Sequence, residues 1–280
     1  MIGFNHIGRH GRLGNQMFQY AALRGIANKH GYEFTIPDCT FKDEWHDHQL
    51  FEAFTLPNLK SKTFIPGTYH QEKQFHYDQE YVDNCPDNVN LFGYFQTYKY
   101  FSDIEDSIRQ DFTFKKDVLE PCKEMMEDFD EIISLHVRRT DYVEKAVDHP
   151  PCSMEYYEKA LSKVDAKLPV LVFSDEPEWC MKEKLFSGNR FMVSESGNNL
   201  IDMCLMTMCT HHIIANSSFS WWGAFLSKSE EIIAPKKWFG TEGYTAANNT
   251  EDIVHTTWIK LSEFLFVFLP MRQVVTDMNI

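Results

Sequence analysis

The sequence predicts an α/β protein built as two nucleotide-fold-like lobes, and three observations lead there. A chain of 280 residues is too long for one small sandwich and long enough for two such lobes. Its opening reads strand, helix, strand, and its second half alternates short β-branched runs with helical stretches.

At the start, residues 2–8 read as a short strand leading into the loop GRHGRLG. Residues 15–30 follow with apolar side chains at helical spacing (Met17, Tyr20, Ala21, Ile26, Ala27). Gly31 stops that helix, and YEFTIP reads as the next strand. The stretch from Asp38 to about Lys116 is rich in aromatic, histidine and charged residues without a clear period, so it yields no element assignment. From Glu131 the rhythm is regular. EIISLHV, LPVLVFSD, HHIIANS and EIIAPKKW have the bounded, β-branched look of buried parallel strands. Helices are expected between them at 154–164, 176–186, 198–209 and 221–227, which gives a doubly wound sheet. The acidic stretch KEMMEDFDE marks the boundary, dividing the chain into lobes of residues 1–130 and 131–261 and an unassigned tail, 262–280.

Composition excludes several classes of function. A formal charge of −14 opposes nucleic acid or an anionic membrane as the main partner, since both need a basic face. It leaves room for a local anion site at the adjacent Arg138 and Arg139. Seven cysteines (39, 85, 122, 152, 180, 204 and 209) show no CxxC spacing, which fits a reducing cytoplasm better than a disulfide scaffold. Asn5, His6, Arg9, His10 and Arg12 argue against a signal peptide, so a cytoplasmic protein is expected. The longest apolar run, residues 264–269, is far short of the ~20 residues needed to span a bilayer, leaving at most peripheral membrane contact.

Three blocks have residues suited to binding an anion. GRLGNQMFQY, residues 11–20, offers glycines for close backbone approach, with Gly14 and Asn15 at the start of a helix. LHVRRTDYV, residues 135–143, sets His136, Arg138, Arg139 and Asp141 just beyond a strand. One guanidinium there can clamp phosphate while the other orders the loop by pairing with Asp141. IIANSSFSWWGAFL, residues 213–226, ends a strand in Asn216, Ser217, Ser218 and Phe219, a turn able to form a second anion nest. Asp202, inside the apolar LIDMCLM, needs either a helix-capping role or hydrogen-bond donors such as a guanine edge. Glu144 and Asp148, in the loop after the arginines, are the candidate general bases. The alternative is that a departing phosphate takes the proton.

Competing chemistries find less support. Asp128 and Asp130 form a DxD that precedes its strand, which reads as a solvated turn rather than a metal site. DEWHDH, residues 43–48, lacks a frame that would fix metal geometry, and no GxSxG elbow is present for a serine hydrolase.

Taken together, GRLGNQMFQY, GYFQTYKYF (93–101), HVRRTDY, VFSDEPEWC (172–180), NSSFSWWGAFL and IIAPKKWF (232–239) resemble the α-1,2-fucosyltransferases of bacteria and viruses, glycosyltransferase family 11. The blocks occur in family order and cover the chain to about Leu261. The resemblance implies a GT-B-like fold, two Rossmann-like lobes facing a central cleft. It also implies inverting, metal-independent transfer of fucose from GDP-β-L-fucose to a galactose-containing glycan, with no cofactor beyond that co-substrate. By the pattern of related fucosyltransferases, Arg138 would contact the β-phosphate, Asp202 would read guanine and Ser217 with Ser218 would bind diphosphate oxygens. His136 would lie by the base, and Gly14 and Asn15 would approach from the first lobe. Glu144 precedes His149 and Pro150 much as the catalytic acid of core α-1,6 enzymes precedes a His-Pro pair. Thr140 stands where family members often have glycine. A transferase for another sugar nucleotide and a glycan-binding protein without turnover are the two competing readings.

Overall fold

The computed structural model describes residues 1–38, 48–227 and 229–262. Cys39, most of the DEWHDH cluster and the apolar run at 264–269 lie outside them.

Two wholly parallel sheets form the frame. The first contains β1 (Ile2–Gly3), β2 (Phe34–Thr35), β3 (Tyr69–Gln71) and β4 (Asn90–Phe92) in the order β2-β1-β4-β3. The second contains β5 (Ile133–Val137), β6 (Val170–Ser174), β7 (Phe191–Val193), β8 (His211–Ile213), β9 (Glu231–Pro235) and β10 (Ile259–Leu261) in the order β10-β9-β8-β5-β6-β7. Each sheet reverses its winding beside a central strand, β1 in the first and β5 in the second. Ligands enter open α/β sheets at such switch points, beyond the carboxyl ends of the strands.

The helices are α1 (Leu13–His30), α2 (Leu50–Ala53), α3 (Gln79–Asp83), α4 (Glu105–Asp111), α5 (Lys116–Met126), α6 (Thr140–Glu144), α7 (Met154–Leu161), α8 (Pro177–Lys182), α9 (Asn199–Met208) and α10 (Ser218–Leu226). Gly31, with φ of 67°, caps α1 in the left-handed conformation, the role its position in the sequence suggests. Nearly every residue from Leu13 to Ala27 is buried, because α1 packs on its own sheet and, through Phe18, on Trp221 and Trp222 of α10 (ring centroids 4.6 and 5.0 Å). An apolar core therefore runs unbroken from one lobe into the other.

Several expectations change in detail. The strand expected at 2–8 shrinks to two residues, and α10 begins at Ser218, three residues before the predicted start. Strands β3, β4, β7 and β10 carry no readable pattern: β3 and β10 are largely exposed, β7 is half-buried at a sheet edge, and β4, though mostly buried, is only three residues long. The boundary near residue 130 falls just before β5, yet α5 already packs against α9 of the second lobe. Among the described residues no helix is long and apolar enough to cross a membrane. No disulfide joins the six described cysteines.

Candidate active site

The carboxyl ends of the two sheets open into one cleft of about 1200 Å³. Its wall on the second lobe begins at β5. His136, the fourth residue of that strand, is buried, and its Nδ1 has no hydrogen-bond partner among the described residues. Burial first, and the neighbouring Arg138 second, hold its pKa down to about 3, so the imidazole is neutral near pH 7.

Arg138 follows at the strand end. One Nη donates to the Asp141 carboxylate and the other to Asp175 Oδ2 at 2.9 Å, while the guanidinium lies 5.3 Å from the centre of the Tyr142 ring. These bonds spend two of its five N–H donors and lock the fork at the cleft wall. Burial alone would raise the Asp141 carboxyl, but Arg138 and the Thr140 hydroxyl hold it below its ordinary value.

Arg139 does not reach the cleft. Its Nε donates to Glu176 Oε2 at 3.0 Å and its guanidinium stacks 3.8 Å over Trp179, while its backbone N–H donates to Asp175 Oδ1 at 2.9 Å. The expected pairing is thereby corrected: Asp141 holds Arg138, and Arg139 is tied to α8 and the residue before it. Asp175, which organises both arginines, was not singled out in the sequence. It lies one residue beyond β6, next to β5, and the strand-end rule would have found it.

The end of β8 and the start of α10 form the second anchor. Ser217 caps α10, its Oγ accepting the Phe219 N–H at 3.3 Å, and Ser217, Ser218 and Phe219 all line the cleft. Asn216 turns the other way: its buried amide donates to the carbonyls of Pro150 and Trp238, both at 2.9 Å, and holds loops together. From the first lobe, Asn15 Oδ1 accepts the Ser218 hydroxyl at 2.8 Å and the Gln96 amide at 2.7 Å. A Cβ on Gly14 would sit 2.6 Å from the Ser218 carbonyl carbon and 2.7 Å from the Phe219 nitrogen, so glycine there permits contact between the two helix starts.

Asp202 lines a third corner. Its Oδ1 accepts the hydroxyls of Ser194 at 2.6 Å and Ser196 at 2.8 Å, and burial raises its carboxyl above the ordinary value against the pull of those bonds. The second oxygen has no hydrogen-bond partner among the described residues. Neither loop acid chosen as a candidate base lines this cleft. Glu144 is exposed, and Asp148 accepts the Thr245 N–H at 3.1 Å, holding the loop that carries the cleft residues Tyr244 and Thr245.

Beyond the residues read from sequence, Glu72, Phe75, Tyr94 and Gln96 line the cleft from the first lobe, and Ser194, His149 and Tyr244 from the second. The first four all lie in the stretch without period; Tyr94 and Gln96 fall in the block GYFQTYKYF, whereas Glu72 and Phe75 are revealed by the fold alone. Asp128 and Asp130 are exposed just ahead of β5, at the end away from the cleft. Among the described residues no group of three or more His, Cys, Asp or Glu is arranged to hold a metal ion.

Comparison with known proteins adds to this geometry. The model of the family described as glycosyl transferase family 11 matches residues 1–262. The chain is 29% identical over 305 residues to an O-antigen biosynthesis glycosyltransferase, WbnK, of Escherichia coli, covering 90% of this chain and 98% of the relative. It is 30% identical over 287 residues to an α-1,2-colitosyltransferase of Escherichia coli (90% and 97% covered). A galactoside α-(1,2)-fucosyltransferase 2 of Sus scrofa is 29% identical over 255 residues (79% and 69% covered). Among solved structures, POFUT1 in complex with GDP superposes with a TM-score of 0.56 at 12% identity (83% and 96% covered). The fucosyltransferase NodZ from Bradyrhizobium superposes at 0.54 and 15% identity (81% and 93% covered). At such identities these two likenesses speak for the fold, which is GT-B-like, as the motif resemblance implies.

Proposed function

The chain belongs to glycosyl transferase family 11, and from that premise we propose that it transfers L-fucose from GDP-β-L-fucose to the 2-hydroxyl of a galactose-containing glycan, with inversion and without a metal ion. The observation that carries this reading is the pairing in one cleft of a locked arginine fork, Arg138, with the capped N-terminus of α10. Relatives bearing the names of galactoside α-(1,2)-fucosyltransferase and α-1,2-colitosyltransferase support the linkage.

The chemistry follows from charge. As the bond between the fucose anomeric carbon and the phosphate oxygen lengthens, its electron pair goes to the leaving diphosphate and negative charge grows there. Arg138, held by Asp141 and Asp175, still has three N–H donors, and the start of α10 adds backbone N–H groups with a positive dipole end. Donors fixed before the reaction need no reorganisation, which makes electrostatic preorganisation a large catalytic contribution. Asp202 suits a guanine edge: Ser194 and Ser196 bond to one oxygen, leaving the other for ring or amino N–H. Neutral His136 and Phe219, whose rings stand 5.8 Å apart, offer surfaces beside the base.

The test is incubation with labelled GDP-fucose and a panel of galactosides in excess EDTA, followed by linkage and anomer analysis. The expected outcome is an α-1,2-fucosylated product formed at the rate seen without chelator. Loss of activity restored by Mg²⁺ or Mn²⁺ would refute metal independence. GDP binding without transfer or donor hydrolysis would instead favour a glycan-binding protein.

A second reading is a colitosyl donor, favoured by the 30% identity to an α-1,2-colitosyltransferase. Side-by-side transfer with fucosyl and colitosyl donors decides between them.

A further inference from the structure

We infer that Glu72 is the carboxylate that takes the proton from the acceptor hydroxyl; this rests on the transfer reaction proposed above. Glu72 is the first residue past β3, at the carboxyl end of the first sheet, and it lines the cleft. Its side chain reaches across to the turn after β4. There Oε2 accepts the Tyr94 N–H at 2.7 Å and Oε1 accepts the Phe95 N–H at 3.0 Å. Its own backbone N–H donates to Phe92 at 2.8 Å, so both ends of the residue are fixed. A Cβ on Gly93 would lie 2.5 Å from the Glu72 Cβ and Oε2, and glycine there allows the carboxylate to sit so close to the turn.

The other carboxylates lining the cleft are occupied or on the opposite wall. Asp141 and Asp175 hold Arg138, and Asp202 takes two serine hydroxyls. Glu178 and Glu195 belong to the second lobe beside β6 and β7. Glu72 is the one carboxylate that lines the cleft from the first lobe among the described residues. Inversion requires the acceptor to attack the face of the anomeric carbon opposite the leaving diphosphate. Since the groups suited to the diphosphate lie on the second lobe, a base on the first lobe stands on the side from which the hydroxyl comes.

In this step the acceptor O–H bond breaks and its proton passes to a Glu72 oxygen. The acceptor oxygen bonds to the anomeric carbon, and the bond to the phosphate oxygen breaks with its electron pair leaving on the diphosphate. Each Glu72 oxygen accepts one backbone N–H and has a further lone pair.

Burial pushes the Glu72 carboxyl up to about 7, only partly offset by the two backbone N–H groups. That is the range in which a carboxylate base works best near neutral pH. The titratable groups that interact electrostatically with it are phenols, Tyr81 of α3, Tyr94 and Tyr100, and Tyr94 interacts in turn with Tyr244 of the second lobe. No Lys or Arg forms a salt bridge with Glu72 among the described residues.

The experiment compares wild type, Glu72→Gln and Glu72→Asp with two nucleophiles, a galactoside and sodium azide, using GDP-fucose as donor. Azide has no proton to lose, so a base is irrelevant to its attack. Expected for Glu72→Gln is a fall in galactoside kcat of about 100-fold or more, the scale of general-base catalysis. Azide transfer and GDP affinity, by calorimetry, should stay within about twofold of wild type. The acid limb of the wild-type kcat profile near pH 7 should vanish from the residual galactoside rate. Glu72→Asp, which keeps the charge and withdraws it, should fall between the two.

Near-normal galactoside kcat in Glu72→Gln overturns the assignment. So does an equal loss with both nucleophiles, which would mark Glu72 as a tie for the turn after β4; melting temperatures of the variants separate misfolding from that outcome. A wild type that fails to bind GDP refutes the donor reading and this inference with it. A wild type that binds GDP and transfers, alongside a Glu72→Gln enzyme that does so equally well, refutes the role of Glu72 alone.

Discussion

Asn15 and Ser218 stand 203 positions apart in the chain, yet the Ser218 hydroxyl donates to Asn15 Oδ1 at 2.8 Å. This bond joins the start of α1 to the start of α10, so the helix terminus best suited to a diphosphate is set in place by the opposite lobe. The two lobes here meet through a continuous apolar core as well as through that bond.

Gly14→Ala tests the joint. The added methyl would meet backbone at 2.6 and 2.7 Å, and backbone cannot turn aside as a flexible side chain can. We expect a loss of about 1–3 kcal/mol of stability, the usual range for overpacking. GDP affinity should fall as well, because α10 must shift. Thermal unfolding and calorimetry check both. Wild-type values for both would mean that the helix starts are not in contact.

Arg138→Lys and Arg139→Lys should separate cleanly. A lysine at 138 carries a point charge in place of the fork, so kcat should drop about 100-fold while donor binding is partly retained. A lysine at 139 loses the Trp179 stack and the Glu176 bond, costing about 1 kcal/mol of stability with little effect on kcat. Near-normal kcat in the first variant would defeat the charge-stabilising role of Arg138.

Asp202→Asn preserves an oxygen for Ser194 and Ser196 but turns the second acceptor into a donor. The fold should therefore persist, with an unchanged melting temperature, while GDP binds about tenfold more weakly and discrimination against other bases relaxes. Unchanged GDP affinity would remove Asp202 from the base site.

His212 supplies a pH test away from the cleft. It is fully buried with Nε2 unpartnered among the described residues, and burial holds its pKa down to about 3. A histidine depressed in the folded state binds its proton more readily when unfolded. Stability is therefore full above about pH 6.5 and is lost as pH falls toward 3. By that linkage His212 costs roughly 2 kcal/mol at pH 5 relative to pH 7, and His136 adds a similar amount. His212→Leu should show a smaller drop in melting temperature between pH 7 and pH 5 than wild type. An identical drop would mean that His212 is not buried as a neutral ring.

The strands β5, β6, β8 and β9 were legible because both of their faces are covered, which leaves uninterrupted β-branched runs. His136 near the end of β5, and Arg138, Ser217 and Ser218 beyond such strands, could be named for the same reason. Local pattern misled where a residue's partner is remote. Asn216 lies in the same block as Ser217, but its amide turns toward Pro150 and Trp238. Glu144 looked like a base because it follows the arginines, yet α6 carries it out to solvent.

The sequence by itself determined the α/β class, the four central strands of the second sheet, the glycine and arginine blocks and the family, because each is written in contiguous residues with a local physical cause. Tertiary structure decided which arginine faces the cleft, that Asn15 holds Ser218, and that Glu72 rather than Glu144 or Asp148 lines the cleft. Those relationships join residues dozens to hundreds of positions apart. A carboxylate or guanidinium acquires its role from the partners that folding brings to it, and no spacing along the chain encodes them.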